Sequence, residues 1–209
     1  MLFHKEKSIV VLATKFSTAA NLVKKVKSMM KNLPEWLKLA QIDIDNRTSF
    51  ELSNGSIIKA VPTSEDAGRS EALSLLVVDE AAHVDKMDAI WTAIYSTLST
   101  GGRCIALSTP KGTGNWFHKT YTDAIDGENE FNPIRLMWDV HPERDQTWFG
   151  KETKNMSKRQ IAQELLCNFN TSGDTVIHSD DLASTHVKLK DPIYRTGYDR
   201  NFWIWEKHD

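Results

Sequence analysis

Cysteine is nearly missing from this sequence: two, Cys104 and Cys167, stand far apart among 209 residues and form no C-x-x-C pair. That excludes a disulfide framework and a cysteine zinc site, fits a reducing compartment, and leaves both as buried or inert thiols. A basic excess is missing too, since 26 Lys and Arg face 28 Asp and Glu for a formal net charge of −2. Any surface for nucleic acid is therefore a local patch. No apolar run approaches the ~18 residues of a membrane span, and the N-terminus has no basic stretch followed by a long apolar one. A soluble protein of the cytoplasm with no membrane partner is expected. Internal repeats and low-complexity tracts are absent as well. What is present is 40% apolar residues, enough for a core within one domain.

Short β-branched and apolar runs alternate with helical periodicity. Ser8 to Thr14 reads as a buried strand, and Leu22, Val26, Met29 or Met30 and Leu33 recur at helical spacing after a cap at Ser17 or Thr18. Pro34 ends that helix, and a short amphipathic piece follows around Trp36 and Leu39. Two strand-like runs flank Asn54-Gly55, a hairpin signal. Leu75 to Val78 and Arg103 to Leu107 read as further strands, with a helix over Met87 to Leu98 between them that Gly101-Gly102 stops. A helix through Trp116, Phe117, Tyr121 and Ala124, a strand around Ile134 to Trp138, and two polar helices between Asp145 and Leu166 complete the pattern. The alternation predicts an α/β domain with a mainly parallel sheet and helices on both sides. Ligands bind such sheets at the carboxyl ends of strands, which puts Asp79, Glu80 and Ser108-Thr109 at one edge of the molecule.

The apolar run Leu75-Leu76-Val77-Val78 ends in two adjacent carboxylates, Asp79 and Glu80. This is the Walker B arrangement of nucleoside-triphosphate hydrolases, in which the Asp holds Mg²⁺ and the Glu orients the attacking water. The two charges repel unless a divalent cation with its phosphates neutralises them. Taken alone, the same pair also fits a helix cap followed by a first-turn acid. Position favours the first reading, because the next strand ends in Ser108-Thr109-Pro110 and Arg69 lies in the loop just upstream.

Five segments in order, ATK (13–15), FELSNGSIIKAVPTSEDAGRS (50–70), LLVVDEAAHVD (75–85), RCIALSTPKGTGNWFHKTY (103–121) and CNFNTSGDTVI (167–177), resemble the large terminase subunit of tailed bacteriophages. That resemblance implies an ATPase that drives DNA into an empty capsid, on a P-loop NTPase (RecA-like) fold. It implies Asp79 as the Mg²⁺ ligand, Glu80 as the catalytic carboxylate, Ser108, Thr109 and Pro110 as the motif coupling hydrolysis to movement, and Arg69 as an internal arginine finger. ATP and Mg²⁺ are the implied cofactors. Double-stranded DNA, a portal protein, a small terminase subunit and a homo-oligomeric ring on the capsid are the implied partners, in the host cell cytoplasm.

The nucleotide cradle G-x-x-x-x-G-K-[ST] does not occur here. Lys111-Gly112-Thr113-Gly114 has glycines in the wrong order and reads as a tight turn before a helix. In the family the P-loop precedes the strand matching Ser8 to Thr14, so residues 1–172 are expected to be an incomplete ATPase domain lacking Walker A. Residues 173–209 are expected to lead towards an RNase H-like nuclease domain that is absent. The chain alone is then expected to bind ATP poorly. Asp174, Asp180, Asp181 and Asp191 read as solvated loop acids, and Phe202 to Lys207 as a strand without a partner, exposing Trp203 and Trp205. Lys24, Lys25, Lys27 and Lys31 read first as a solvated helix face, His83 as a surface or capping residue, and Trp91, Trp116, Trp138 and Trp148 as core or domain-interface residues. Two rival readings are a helicase-type nucleic-acid-dependent ATPase and a catalytically inactive NTPase-fold binding module. The first should carry a second RecA-like half, and nothing after residue 145 resembles one.

Overall fold

Period-two alternation sets the frame. In β1 (Ser8–Leu12), Val10 and Leu12 point to one face of a sheet, while Val11 and then Ala13 point to the other, and all four are buried. The computed structural model describes residues 1–64 and 72–172, together with the backbone of two strands, 194–196 and 202–204. β1 lies between two parallel neighbours, β4 (Ile57–Ala60) and β5 (Leu75–Asp79), and β5 pairs in parallel with β6 (Arg103–Leu107). The expected hairpin joins β3 (Ser49–Leu52) to β4 in antiparallel register. Gly55 there adopts φ 78°, and its N–H donates to the Leu52 carbonyl at 2.8 Å.

One more strand, β2 (Ile42–Asp45), pairs antiparallel with β3 and completes the order β2-β3-β4-β1-β5-β6. Three of the five pairings are parallel, so the α/β expectation holds, with an antiparallel extension on one side. On the opposite side β6 is the edge among the described residues, where Ile105 and Leu107 are 52% and 45% exposed.

Each face receives its helices. α1 (Phe16–Lys31) packs Ala19 and Val23 against Val11, Phe50, Leu52 and Ile58. α2 (Met87–Leu98) sets Met87, Ile90, Ile94 and Leu98 against Val10, Leu12, Leu76 and Val78, and α3 (Trp116–Asp126) adds Trp116 to the same cluster. Burying each such aliphatic side chain contributes about 1.5–3 kcal/mol. Trp91 meets Trp116 with ring centroids 5.2 Å apart, in keeping with a packing role. Trp138 and Trp148 stack on each other at 6.1 Å. The two polar helices are α4 (Gln146–Glu152), capped by Asp145, and α5 (Lys158–Glu164), opened by a capping box of Ser157 and Gln160. α6 (Phe169–Ser172) follows.

Four local expectations are corrected. α1 starts at Phe16, before Ser17 and Thr18, and the Lys15 carbonyl takes the Thr18 and Ala19 N–H groups, with no side-chain cap. The piece around Trp36 is one 3₁₀ turn, Glu35–Leu37, and Trp36 and Leu39 are 78% and 58% exposed, so it buries no apolar face. Ile134 to Trp138 forms no strand. It is tied instead to the segment after α5, since the Leu166 carbonyl accepts from the Arg135 guanidinium at 2.6 Å and the Leu165 carbonyl from the Trp138 backbone N–H at 3.1 Å. Finally, Phe202 to Ile204 has a partner in the chain: β7 (Tyr194–Thr196) and β8 (Phe202–Ile204) pair antiparallel as a two-stranded ribbon.

Candidate active site at the ends of two parallel strands

Parity along β5 decides where its terminal acid goes. Leu76 and Val78 are fully buried on the α2 face, so Leu75, Val77 and Asp79 belong to the other face, where Val77 packs with the α1 cluster. Asp79 lies at one end of a groove of about 440 Å³ whose wall is α1. Oδ1 of Asp79 accepts the Glu80 N–H at 3.1 Å, while no hydrogen bond to Oδ2 is seen among the described residues.

Glu80 then takes a left-handed conformation, φ 55° and ψ 41°. A side chain in that region costs roughly 1–3 kcal/mol and persists only where surroundings enforce it. They do so here, because the Glu80 carbonyl accepts the His83 N–H at 2.8 Å, closing a 3₁₀ turn over Ala81–His83. Ala81 and Ala82 are 1% and 6% exposed, so the small-residue step lets this turn pack where larger side chains have no room. α2 begins only at Met87, with Lys86 at its N-cap. Asp79 therefore does not cap it, and the reading of the pair as cap and first-turn acid falls away.

Parallel register brings the second strand end alongside. Asp79 pairs with Leu107, so Ser108 emerges next to Glu80. Ser108 Oγ accepts the N–H of buried Ala82 at 3.1 Å, lies 2.8 Å from the Thr109 carbonyl and 3.5 Å from Glu80 Oε2. Its one proton goes to the shorter contact, which leaves Glu80 within reach of a hydroxyl rotation. His83 was expected to be a surface or capping residue. Its Nε2 instead stands 3.5 Å from Thr109 Oγ1 and 3.9 Å from Glu80 Oε2, linking the two strand ends. Pro110 is buried behind them. Asp79, Glu80, Ser108, Thr109 and Pro110 are thus one cluster, whereas Arg69 lies outside the described residues, as do Asp174, Asp180, Asp181 and Asp191.

The loop Lys111 to Asn115 is the tight turn expected. Gly112 and Gly114 have φ 65° and 84°, and the Asn115 side chain caps α3 by accepting the His118 N–H at 3.0 Å. Two of its amides are engaged within the chain: the Gly112 N–H donates to buried Ser172 Oγ at 3.0 Å, and at the surface the Gly114 N–H donates to His118 Nδ1 at 3.3 Å. Ser172, which nothing in the sequence singles out, thereby ties α6 to the segment after Pro110. The cysteines stay apart from the site, and burial pushes the half-buried Cys104 thiol up to about 12 and raises Cys167 as well.

Among the described residues no three His, Cys, Asp or Glu side chains come together as a metal cage. Two adjacent carboxylates with an open oxygen fit Mg²⁺, which keeps waters and binds through one or two carboxylates plus substrate phosphates. No helix among the described residues is long and apolar enough to cross a membrane.

Solved structures of similar fold agree among themselves. The ATPase domain of the large terminase of Thermus phage P74-26 superposes with a TM-score of 0.63 at 20% identity, over 80% of this chain and 78% of that one. The large terminase of the thermophilic bacteriophage D6E gives 0.64 at 12% identity, over 80% of this chain but only 42% of its own, and has also been crystallised with ADP and with ATP-gamma-S. That of bacteriophage HK97 gives 0.51 at 17% identity, over 88% of this chain and 36% of its own. The fold is therefore that of a large terminase ATPase domain. A family model described as the terminase large subunit, T4likevirus-type, N-terminal, matches residues 1–184, and on that match the chain belongs to the large terminase family.

Proposed function

We propose that the cluster at the ends of β5 and β6 is the metal-and-water half of an ATP-hydrolysing site in a motor that packages viral DNA. The observation that supports this best is the pairing of Asp79 and left-handed Glu80 on one strand end with Ser108 on its parallel neighbour. Mg²⁺ arriving with ATP would supply charge neutralisation at the phosphates. Asp79, which lines the groove and whose Oδ2 has no hydrogen bond among the described residues, would hold it, which is the Walker B role. Glu80, whose side chain is 43% exposed, would orient a water and take its proton. Arg69 offsets γ-phosphate charge in this reading. Ser108, Thr109 and Pro110 are the coupling motif: a change at Glu80 reaches β6 through the Ser108 hydroxyl and His83.

On the same reading, residues 1–172 are ATPase domain, and residues 173–209 lead towards a nuclease domain that would cut the packaged DNA. The partners would be double-stranded DNA, a portal protein, a small terminase subunit and further copies in a ring, in the host cytoplasm. Without a G-x-x-x-x-G-K-[ST] cradle of its own, the chain alone binds ATP poorly and is inactive. The test joins this chain to a segment supplying that cradle. Glu80→Gln should then abolish turnover and leave ATP binding largely intact, and undiminished hydrolysis would overturn the assignment.

A further inference from the structure

α1 carries Lys24, Lys25, Lys27 and Lys31 and no Asp or Glu, in a chain whose net charge is −2. Two of the four are engaged. Lys27 and Lys31 both reach Asp45, and Lys27 also donates to the Asn46 carbonyl at 2.7 Å. Lys24 and Lys25 are exposed and make no ion pair among the described residues. With Thr18, Asn21, Leu22 and Ser28 they form the wall of the groove that Asp79 also lines.

Positions 18, 21, 25 and 28 follow each other at three- and four-residue steps, one stripe along the helix with a side chain every ~5 Å. Of the six side chains that α1 contributes to this wall, all but Leu22 can donate hydrogen bonds, and two are cations. Ammonium, hydroxyl and amide donors in a row are the set that holds sugar-phosphate backbones, where charge and neutral donors both find phosphate oxygens. We propose that this stripe of α1 seats the phosphate backbone of double-stranded DNA without reading its sequence. The choice of duplex DNA among polyanions rests on the motor reading. Repulsion by Asp79 places the backbone over the Lys24 to Ser28 end of the groove and away from its acidic end.

The test is fluorescence anisotropy of the 209-residue chain with a labelled duplex over a salt series. Lys24→Ala with Lys25→Ala should weaken binding at least about tenfold at 0.1 M salt and flatten the slope of log K against log salt by about 2. Lys151→Ala with Lys154→Ala, exposed on other helical turns, should change neither. Asn21→Ala should weaken binding alike for duplexes of different sequence and leave the slope in place. An unchanged slope in the Lys24/Lys25 variant, absence of duplex binding by the unaltered chain, or displacement of the duplex by polyglutamate as readily as by unlabelled DNA would each overturn the proposal. Circular dichroism of the variants, all altered at exposed positions, separates lost binding from lost fold. The assay needs no nucleotide, so its failure leaves the ATPase reading to the Glu80→Gln experiment, and failure there leaves the duplex surface standing.

Discussion

Ser108 Oγ stands 3.5 Å from Glu80 Oε2 across the gap between two parallel strands, and the same oxygen accepts the Ala82 N–H at 3.1 Å. One side chain thus contacts both the acid and the turn that holds the acid in place. Ser108→Ala removes the only acceptor seen for that amide among the described residues, and Ala82 is 6% exposed. A buried donor left without a partner costs about 1–3 kcal/mol. Chemical denaturation should show a loss of that size, whereas Ser108→Thr, which keeps the hydroxyl, should recover most of it.

Glu80 sits at φ 55°, where a glycine suffers no steric penalty. Glu80→Gly should therefore stabilise the fold by about 1 kcal/mol in urea unfolding, even as it removes the carboxylate on which the proposed hydrolysis depends. Glu80→Ala should not gain in this way. A glycine variant no more stable than the alanine variant would mean that the left-handed turn carries no strain.

Gly102 is tightly enclosed for a different reason. A Cβ there would lie 2.2 Å from the Leu73 carbonyl oxygen and 2.9 Å from Leu98 Cδ2, at the junction where α2 turns into β6. Gly102→Ala should cost about 2 kcal/mol or more, because the obstacle is backbone and cannot swing aside. Gly101→Ala meets no neighbouring atom and is strained only by its φ of 95°. Thermal melts of the two variants should rank them in that order.

Asp45 ties β2 to α1, and the hydrogen bond from Lys27, with Lys31 adding to it, holds its carboxyl below the ordinary value of 3.8. A depressed folded pKa stabilises the protein above the unfolded value, and that contribution is lost as pH falls through the folded one. The stability difference between the unaltered chain and Asp45→Asn should accordingly be constant above about pH 5 and shrink below about pH 4. Urea midpoints at several pH values measure it, and a difference that grew on acidification would contradict the pairing.

Much of the frame was legible because local and global signals agree. β1, β5 and β6 are short apolar runs with polar flanks, Asn54-Gly55 marks its hairpin, and α2 ends where the glycines at 101 and 102 require. Ile42 to Asp45 escaped notice because two of its four residues are acids, and it is a strand only through pairing with β3. Ile134 to Trp138 misled in the opposite direction. Its apolar residues suit a strand, yet Ile134 and Leu136 are 68% and 67% exposed, and the Trp138 N–H goes to the Leu165 carbonyl instead of to a sheet. At the site, the acid pair and the hydroxyls could be named from their runs. The approach of His83 to Thr109 across 26 residues could not, since it depends on the register that sets Asp79 beside Leu107.

Among the described residues β6 has a neighbour on one side only, and Ser108 to Pro110 continue directly from it. A strand held along one edge opens at a lower free energy than one held along both, so amide exchange should be faster in Arg103–Leu107 than in β5. Among the described residues, Asp79 and Glu80 thus end a strand paired on both sides, and the hydroxyls beside them follow a strand paired on one.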